Sequence, residues 1–166
     1  TRDQIKNHIQ ARRIGSALGC FHRLLADLPH QQLHDTLPGF HVAPLYLKQY
    51  DDVARRTTPT TQIETFCHKF IEAHREFVPL LETERLHGAL LTRVIHGDPK
   101  VNNFLFTQNG DEVISLIDLD TVKPGLVHYD LGDCLRSACN QAGEDPTAGT
   151  PIIYDTGIAA AILGGY

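Results

Sequence analysis

The chain has 166 residues, a length at which one hydrophobic core can form. Acidic side chains outnumber lysine and arginine by 20 to 15, so the formal charge of −5 has the wrong sign for a nucleic-acid surface and favours a small-molecule partner. With 42% hydrophobic residues the composition is that of a globular domain, no apolar run reaches the roughly 20 residues that span a bilayer, and no signal peptide is visible.

In chain order, Ile5, Ile9, Ile14, Leu18, Phe21, Leu25 and Leu28 recur at three-to-five-residue spacing and predict one face of a long helix that Pro29 ends. Residues 29–44 contain Pro29, Pro38 and Pro44 and predict an irregular segment. The turn Thr57-Thr58-Pro59-Thr60-Thr61 caps a second predicted helix, from Gln62 to about Phe77, with Ile63, Phe66, Phe70 and Ile71 as core candidates. Arg93-Val94-Ile95 and Phe104-Leu105-Phe106 read as strands gripping a loop, residues 96–103. Gln108-Asn109-Gly110-Asp111 is a tight turn, and Val113 to Ile117 is the strand returning from it to Asp118. A helix follows over residues 130–140 with Asp130 as its N-cap, then a loop from Gly143 to Pro151, then a last helix from Tyr154 to Leu163.

Cys20, Cys67, Cys134 and Cys139 form no C-x-x-C pair, which predicts buried free thiols in a reducing, cytoplasmic setting. The ten histidines make no zinc-type spacing and are expected on the surface or satisfied in the core. The lack of methionine, Thr at position 1 and the break at Ile162-Leu163-Gly164-Gly165-Tyr166 predict a piece of a longer protein.

The chemistry concentrates in His96-Gly97-Asp98-Pro99-Lys100-Val101-Asn102-Asn103 and, beyond the hairpin, Ile117-Asp118-Leu119-Asp120. An aspartate, an asparagine five residues on and a second aspartate at the end of a strand are the parts that Mg²⁺-assisted phosphoryl transfer to an alcohol requires. In that chemistry Asp98 accepts the proton of the attacking hydroxyl, while Asn103 and Asp118 give hard oxygen ligands to Mg²⁺. Lys100 can place a cation where negative charge gathers in the transition state. Asp120 is either a second metal ligand or a polar residue leaving the strand, and His96 is expected to bond backbone and support the loop.

The strings H-G-D-P-K-V-N-N-F-L-F and L-I-D-L-D-T-V-K-P-G-L-V-H-Y-D-L-G-D resemble the aminoglycoside phosphotransferase and choline kinase superfamily, whose motif reads H-x-D-x-x-x-x-N. Lys100, the doubled asparagine and the I-D-L-D-T and P-G-L…Y-D-x-G-D runs look most like the N-acetylhexosamine 1-kinase group, as do Leu24 to Leu28 and Leu33 to His41 upstream. The resemblance covers about residues 14–143. It implies an α+β, mainly helical fold, the C-terminal lobe of a protein-kinase-like enzyme with a small β-hairpin carrying the catalytic loop. Residues 1–166 would be that lobe, without the N-terminal nucleotide-binding lobe, and inactive in isolation; no G-x-G-x-x-G or Walker-A string is present. The implied roles are Asp98 as base, Asn103 and Asp118 as Mg²⁺ ligands, Lys100 as a sugar or phosphate contact, and Asp130 as the aspartate that ties down the loop.

The expected activity is ATP-dependent phosphorylation of a sugar or amino-sugar hydroxyl, the anomeric hydroxyl of an N-acetylhexosamine among them. The partners are then Mg²⁺, a nucleotide and a small acceptor, with neither nucleic acid nor membrane, and with oligomeric state open. Three alternatives stand beside it: an aminoglycoside or amino-alcohol kinase, a pseudokinase binding module, and a hydrolase using His96, Asp98, Asp118 and Asp120 as metal ligands. Lys100 and the neutral amide of Asn103 argue against the hydrolase, whose metal clusters favour histidine and carboxylate.

Overall fold

A computed structural model describes residues 4–144, 146–147 and 149–166 and shows a mixed α/β protein, about half helical. The helices are α1 (His8–Leu24), α2 (Ala43–Ala54), α3 (Gln62–His74), α4 (Leu80–Leu86), α5 (Val127–Ala138) and α6 (Thr156–Gly165). The strands are β1 (Arg93–Ile95), β2 (Phe104–Phe106), β3 (Val113–Leu116) and β4 (Lys123–Gly125). The chain divides into two units, residues 1–36 with 92–166, and residues 37–91.

In the first unit, α1 starts where the Asn7 side chain accepts the Gln10 amide, so Ile5 lies outside it. At its other end residues 25–28 turn rather than continue, because Pro29 disfavours helical geometry before it. The stripe of α1 nevertheless builds the core: Ile14 and Leu18 are fully buried with Phe104 of β2, Cys134 of α5 and Ile162 of α6. Burying one such side chain contributes roughly 1.5–3 kcal/mol. Helices α1 and α6 meet so closely that a Cβ on Gly15 would sit 2.0 Å from the Ile162 carbonyl oxygen.

Two antiparallel pairs make the sheets. β2 pairs with β3 across the predicted turn, Phe104 opposite Leu116 and Leu105 opposite Ser115, with an irregularity before Phe106. β1 pairs with β4, Ile95 opposite Lys123 and Val94 opposite Pro124. Strand β4 is unforeseen in the sequence, since Lys123-Pro124-Gly125 has the composition of a turn; a two-stranded pair leaves an edge on which proline is tolerated. Helix α5 begins three residues before Asp130, which therefore is not its N-cap. Helix α6 is capped by Asp155, whose carboxylate accepts the Gly157 and Ile158 amides at 2.8 and 3.0 Å.

In the second unit, α2 begins within the last two residues of the segment 29–44 expected to be irregular and runs on beyond it. Pro44 falls in its first turn, where a missing N–H costs no helical bond. The turn expected to cap α3 does so, and the structure shows the cap to be a reciprocal Thr61–Glu64 box, but the helix ends at His74. Its core candidates are corrected: Ile63, Phe66 and Phe70 are 77, 68 and 54% exposed, and no residue of 37–91 is buried. Periodicity defines a face without supplying the neighbour that would cover it.

All four cysteines are free thiols, but only Cys134 and Cys139 are buried; Cys20 is half-buried and Cys67 exposed. Burial pushes the Cys134 and Cys139 thiols up from their ordinary range. Among the described residues no helix is long and apolar enough to cross a membrane.

Candidate active site

The loop 96–103 leaves β1, and its shape is set by backbone demands before any chemistry. Gly97 has φ +88°, and a Cβ there would lie 2.4 Å from the Thr121 carbonyl oxygen, so two independent constraints call for glycine. His96 is fully buried. Its Nε2–H donates to the Ile117 carbonyl at 2.9 Å and its Nδ1 accepts the Asp98 amide at 3.3 Å, which fixes the tautomer. Thr121 Oγ1 donates to the His96 carbonyl at 2.8 Å.

Asp130, fully buried in the first turn of α5, supplies the other clamp. Its Oδ2 accepts the His96 amide at 2.6 Å and its Oδ1 the Gly97 amide at 2.8 Å. The loop's far side is pinned by the Val101 amide donating to Ser137 Oγ at 3.0 Å. Starting α5 at Val127 is what brings this carboxylate inward, to the loop, instead of to the helix terminus.

Between these clamps lie the reactive candidates. Asp98 is partly exposed, and its Oδ2 accepts Lys100 Nζ at 2.7 Å and Asn103 Nδ2 at 3.4 Å. Asn103 Nδ2 also donates to the Asp98 carbonyl at 2.7 Å, which turns its amide oxygen the other way. The Asn103 carbonyl accepts the Ile117 amide at 2.9 Å, so the hairpin ladder delivers Asp118 directly beyond it.

Asp118 is exposed and sits in the left-handed region, φ 67°, ψ 59°. Such a backbone costs on the order of 1–3 kcal/mol outside glycine, and aspartate is among the residues that bear it most readily. The Lys100 ammonium is raised above its ordinary value chiefly by the hydrogen bond to Asp98, with the Asp118 and Glu144 carboxylates adding to it. Lys100, Asp98, Asn103 and Asp118 thus belong to one electrostatic neighbourhood. Asp120 is exposed in the short 3₁₀ turn Leu119–Thr121, and its carbonyl accepts Thr36 Oγ1 at 3.3 Å.

Among the described residues no group of three or more His, Cys, Asp and Glu side chains is arranged to hold a metal. An amide oxygen with one carboxylate nonetheless suits Mg²⁺, which keeps several waters and draws further ligands from substrate phosphates. His96 cannot join a metal cluster, because both ring nitrogens face backbone groups; the hydrolase ligand set loses its histidine.

One residue went unremarked in the sequence. His22 continues the buried stripe of α1 four residues after Leu18, and a polar side chain on an apolar stripe is the signal that would have found it. Its Nε2–H donates to Asp130 Oδ2 at 2.8 Å. A family model described as the phosphotransferase enzyme family matches residues 1–161.

Proposed function

The chain belongs to the phosphotransferase enzyme family, and from that premise we propose that it is the C-terminal catalytic lobe of a Mg²⁺- and ATP-dependent kinase acting on a hydroxyl of a sugar or amino sugar. Asp98 takes the proton of the acceptor hydroxyl as that oxygen bonds to the γ-phosphorus and the bond to the β-phosphate oxygen breaks. Asn103 Oδ1 and the Asp118 carboxylate would hold Mg²⁺, with Asp120 as a further ligand. The ion, when bound, neutralises charge on the phosphates. Lys100 steadies Asp98 before the acceptor arrives and offsets negative charge on the transferring group afterwards. His96 and Asp130 keep the loop in place. Within the family the I-D-L-D-T and Y-D-L-G-D runs favour an N-acetylhexosamine acceptor, phosphorylated at its anomeric oxygen. A cytoplasmic setting accords with ATP and with four free thiols.

The observation that carries this reading is Asp98 Oδ2 between Lys100 Nζ and Asn103 Nδ2, on a loop anchored through its backbone. A carboxylate so held needs little reorganisation to meet a hydroxyl. The test is ATP consumption by the intact protein with Mg²⁺, across amino sugars, aminoglycosides and amino alcohols. ADP formation that depends on an amino sugar, and disappears in Asp98→Asn, is expected. Nucleotide-independent hydrolysis of a phosphate ester, or full transfer by Asp98→Asn, overturns the assignment.

A further inference from the structure

We infer that His22 is a positioning residue for this active site, the middle of a chain of hydrogen bonds running from Tyr166 through His22 and Asp130 to the backbone of the catalytic loop. The inference rests on Asp98 acting from that loop.

Asp130 Oδ2 accepts two N–H groups, the His96 amide at 2.6 Å and His22 Nε2 at 2.8 Å. The imidazole therefore fixes the same oxygen that holds His96, two residues before Asp98. Both side chains are sealed from water, His22 at 3% exposure and Asp130 at 0%, so neither can exchange its partner for solvent. The His22 ring is fixed in turn. Its Nδ1 pairs with the Tyr166 hydroxyl at 2.8 Å, and the Arg93 guanidinium donates to the His22 carbonyl at 2.9 Å, tying α1 to the start of β1.

Aromatic packing restricts the ring further. Phe21 meets the rings of both His22 and His96 edge-on, at centroid distances of 5.8 and 5.6 Å. Tyr166 lies at the end of α6, where Ser16 Oγ donates to the Gly165 carbonyl and Arg12 to that of Gly164, at 3.0 and 2.8 Å. The α1–α6 pair, remote in sequence from the loop, thus sets the carboxylate on which the loop hangs. A buried imidazole has one N–H donor and one ring acceptor to satisfy; at His22 both partners are side chains, and they lie in series toward the reactive segment.

The test uses the intact protein and the variants His22→Leu, His22→Gln and Tyr166→Phe. The first readout is hydrogen exchange at the His96 and Gly97 amides, which needs no substrate. His22→Leu should speed exchange at those two amides at least tenfold relative to the Phe104 amide. His22→Gln, which restores an N–H near the Nε2 position, should recover much of the protection, and Tyr166→Phe should show a smaller loosening than His22→Leu. The second readout is transfer: kcat for His22→Leu should fall about 10–100-fold, the range seen when partners of functional ligands are removed, with KM for Mg·ATP within about twofold. Unchanged exchange at His96 and Gly97 in a folded His22→Leu overturns the inference. If that variant does not fold, a His22→Gln that leaves both amides as labile as the rest of the loop overturns it equally. Failure of the unmodified protein to transfer phosphate to any acceptor would strike the kinase reading and leave the exchange result to decide the hydrogen-bond chain.

Discussion

Asp130 and Glu64 are both carboxylates that accept two backbone amides, and they organise two very different regions. Asp130 is fully buried and takes the His96 and Gly97 amides together with His22. Glu64 is exposed and takes the Thr60 and Thr61 amides at 2.7 and 2.9 Å through one oxygen. Around Asp130 the partners His96, Gly97 and His22 are all buried, and two of the three contacts hold the loop backbone. Around Glu64, in a unit without a buried residue, the organising contacts are local caps and surface pairs such as Arg75 bridging Asp51 and Glu72. Buried polar networks fail expensively because each orphaned group stays desolvated, while surface contacts are replaced by water.

The largest effect should come from Asp130→Ala, which leaves the His96 and Gly97 amides and His22 Nε2 facing an apolar gap. At about 1–3 kcal/mol for each unpaired group, a loss of at least ~3 kcal/mol in denaturant unfolding is expected. A loss no greater than that of a surface substitution would dissolve the contrast between the two regions. Next is Gly97→Ala, for which positive φ and the contact with Thr121 O predict a cost of about 1–3 kcal/mol together with loss of transfer activity. Normal stability in that variant would mean the loop can relax around a Cβ.

Thr61→Ala should cost about 1 kcal/mol as a lost N-cap and leave the transfer rate unchanged, as judged by thermal unfolding and ATP turnover side by side. The smallest effect is a pH dependence. The Thr60 and Thr61 amides hold the Glu64 carboxyl down to about 2 from an ordinary 4.5. A depressed carboxylate stabilises the fold above its unfolded value and loses that contribution as pH falls. Protection of the first-turn amides of α3 should therefore decline between pH 4.5 and about 2, and Glu64→Gln should flatten the decline. An identical pH profile in Glu64→Gln would assign the acid sensitivity elsewhere.

The same contrast explains what could be read from the sequence. Features governed by neighbours along the chain were legible: the turn that caps α3, the turn around Gly110, strands β1 to β3 and the apolar stripe through Ile14 and Leu18. The matched family agrees with the phosphotransferase reading of the H-G-D-P-K-V-N-N string. Features that depend on a distant partner were not legible. Lys123-Pro124-Gly125 becomes extended only because β1 lies beside it. Asp130 read by position as a helix cap, and its role in tying down the loop came only from the family resemblance, because only the folded chain shows the loop amides it meets. Phe66 and Phe70 read as core because helical periodicity looks the same whether or not anything packs upon it. His22 passed unnoticed because its importance lies in a carboxylate more than one hundred positions away.

The most direct test of the division of labour proposed for Asp98 and Asp118 is a calorimetric titration of Mg·ATP into Asp118→Ala alongside Asp98→Asn. With Asp118 holding the metal and Asp98 serving the acceptor, affinity should drop at least about tenfold in the first variant and stay within about twofold in the second. Undiminished Mg·ATP affinity in Asp118→Ala, with the loss falling on Asp98→Asn instead, would contradict the account.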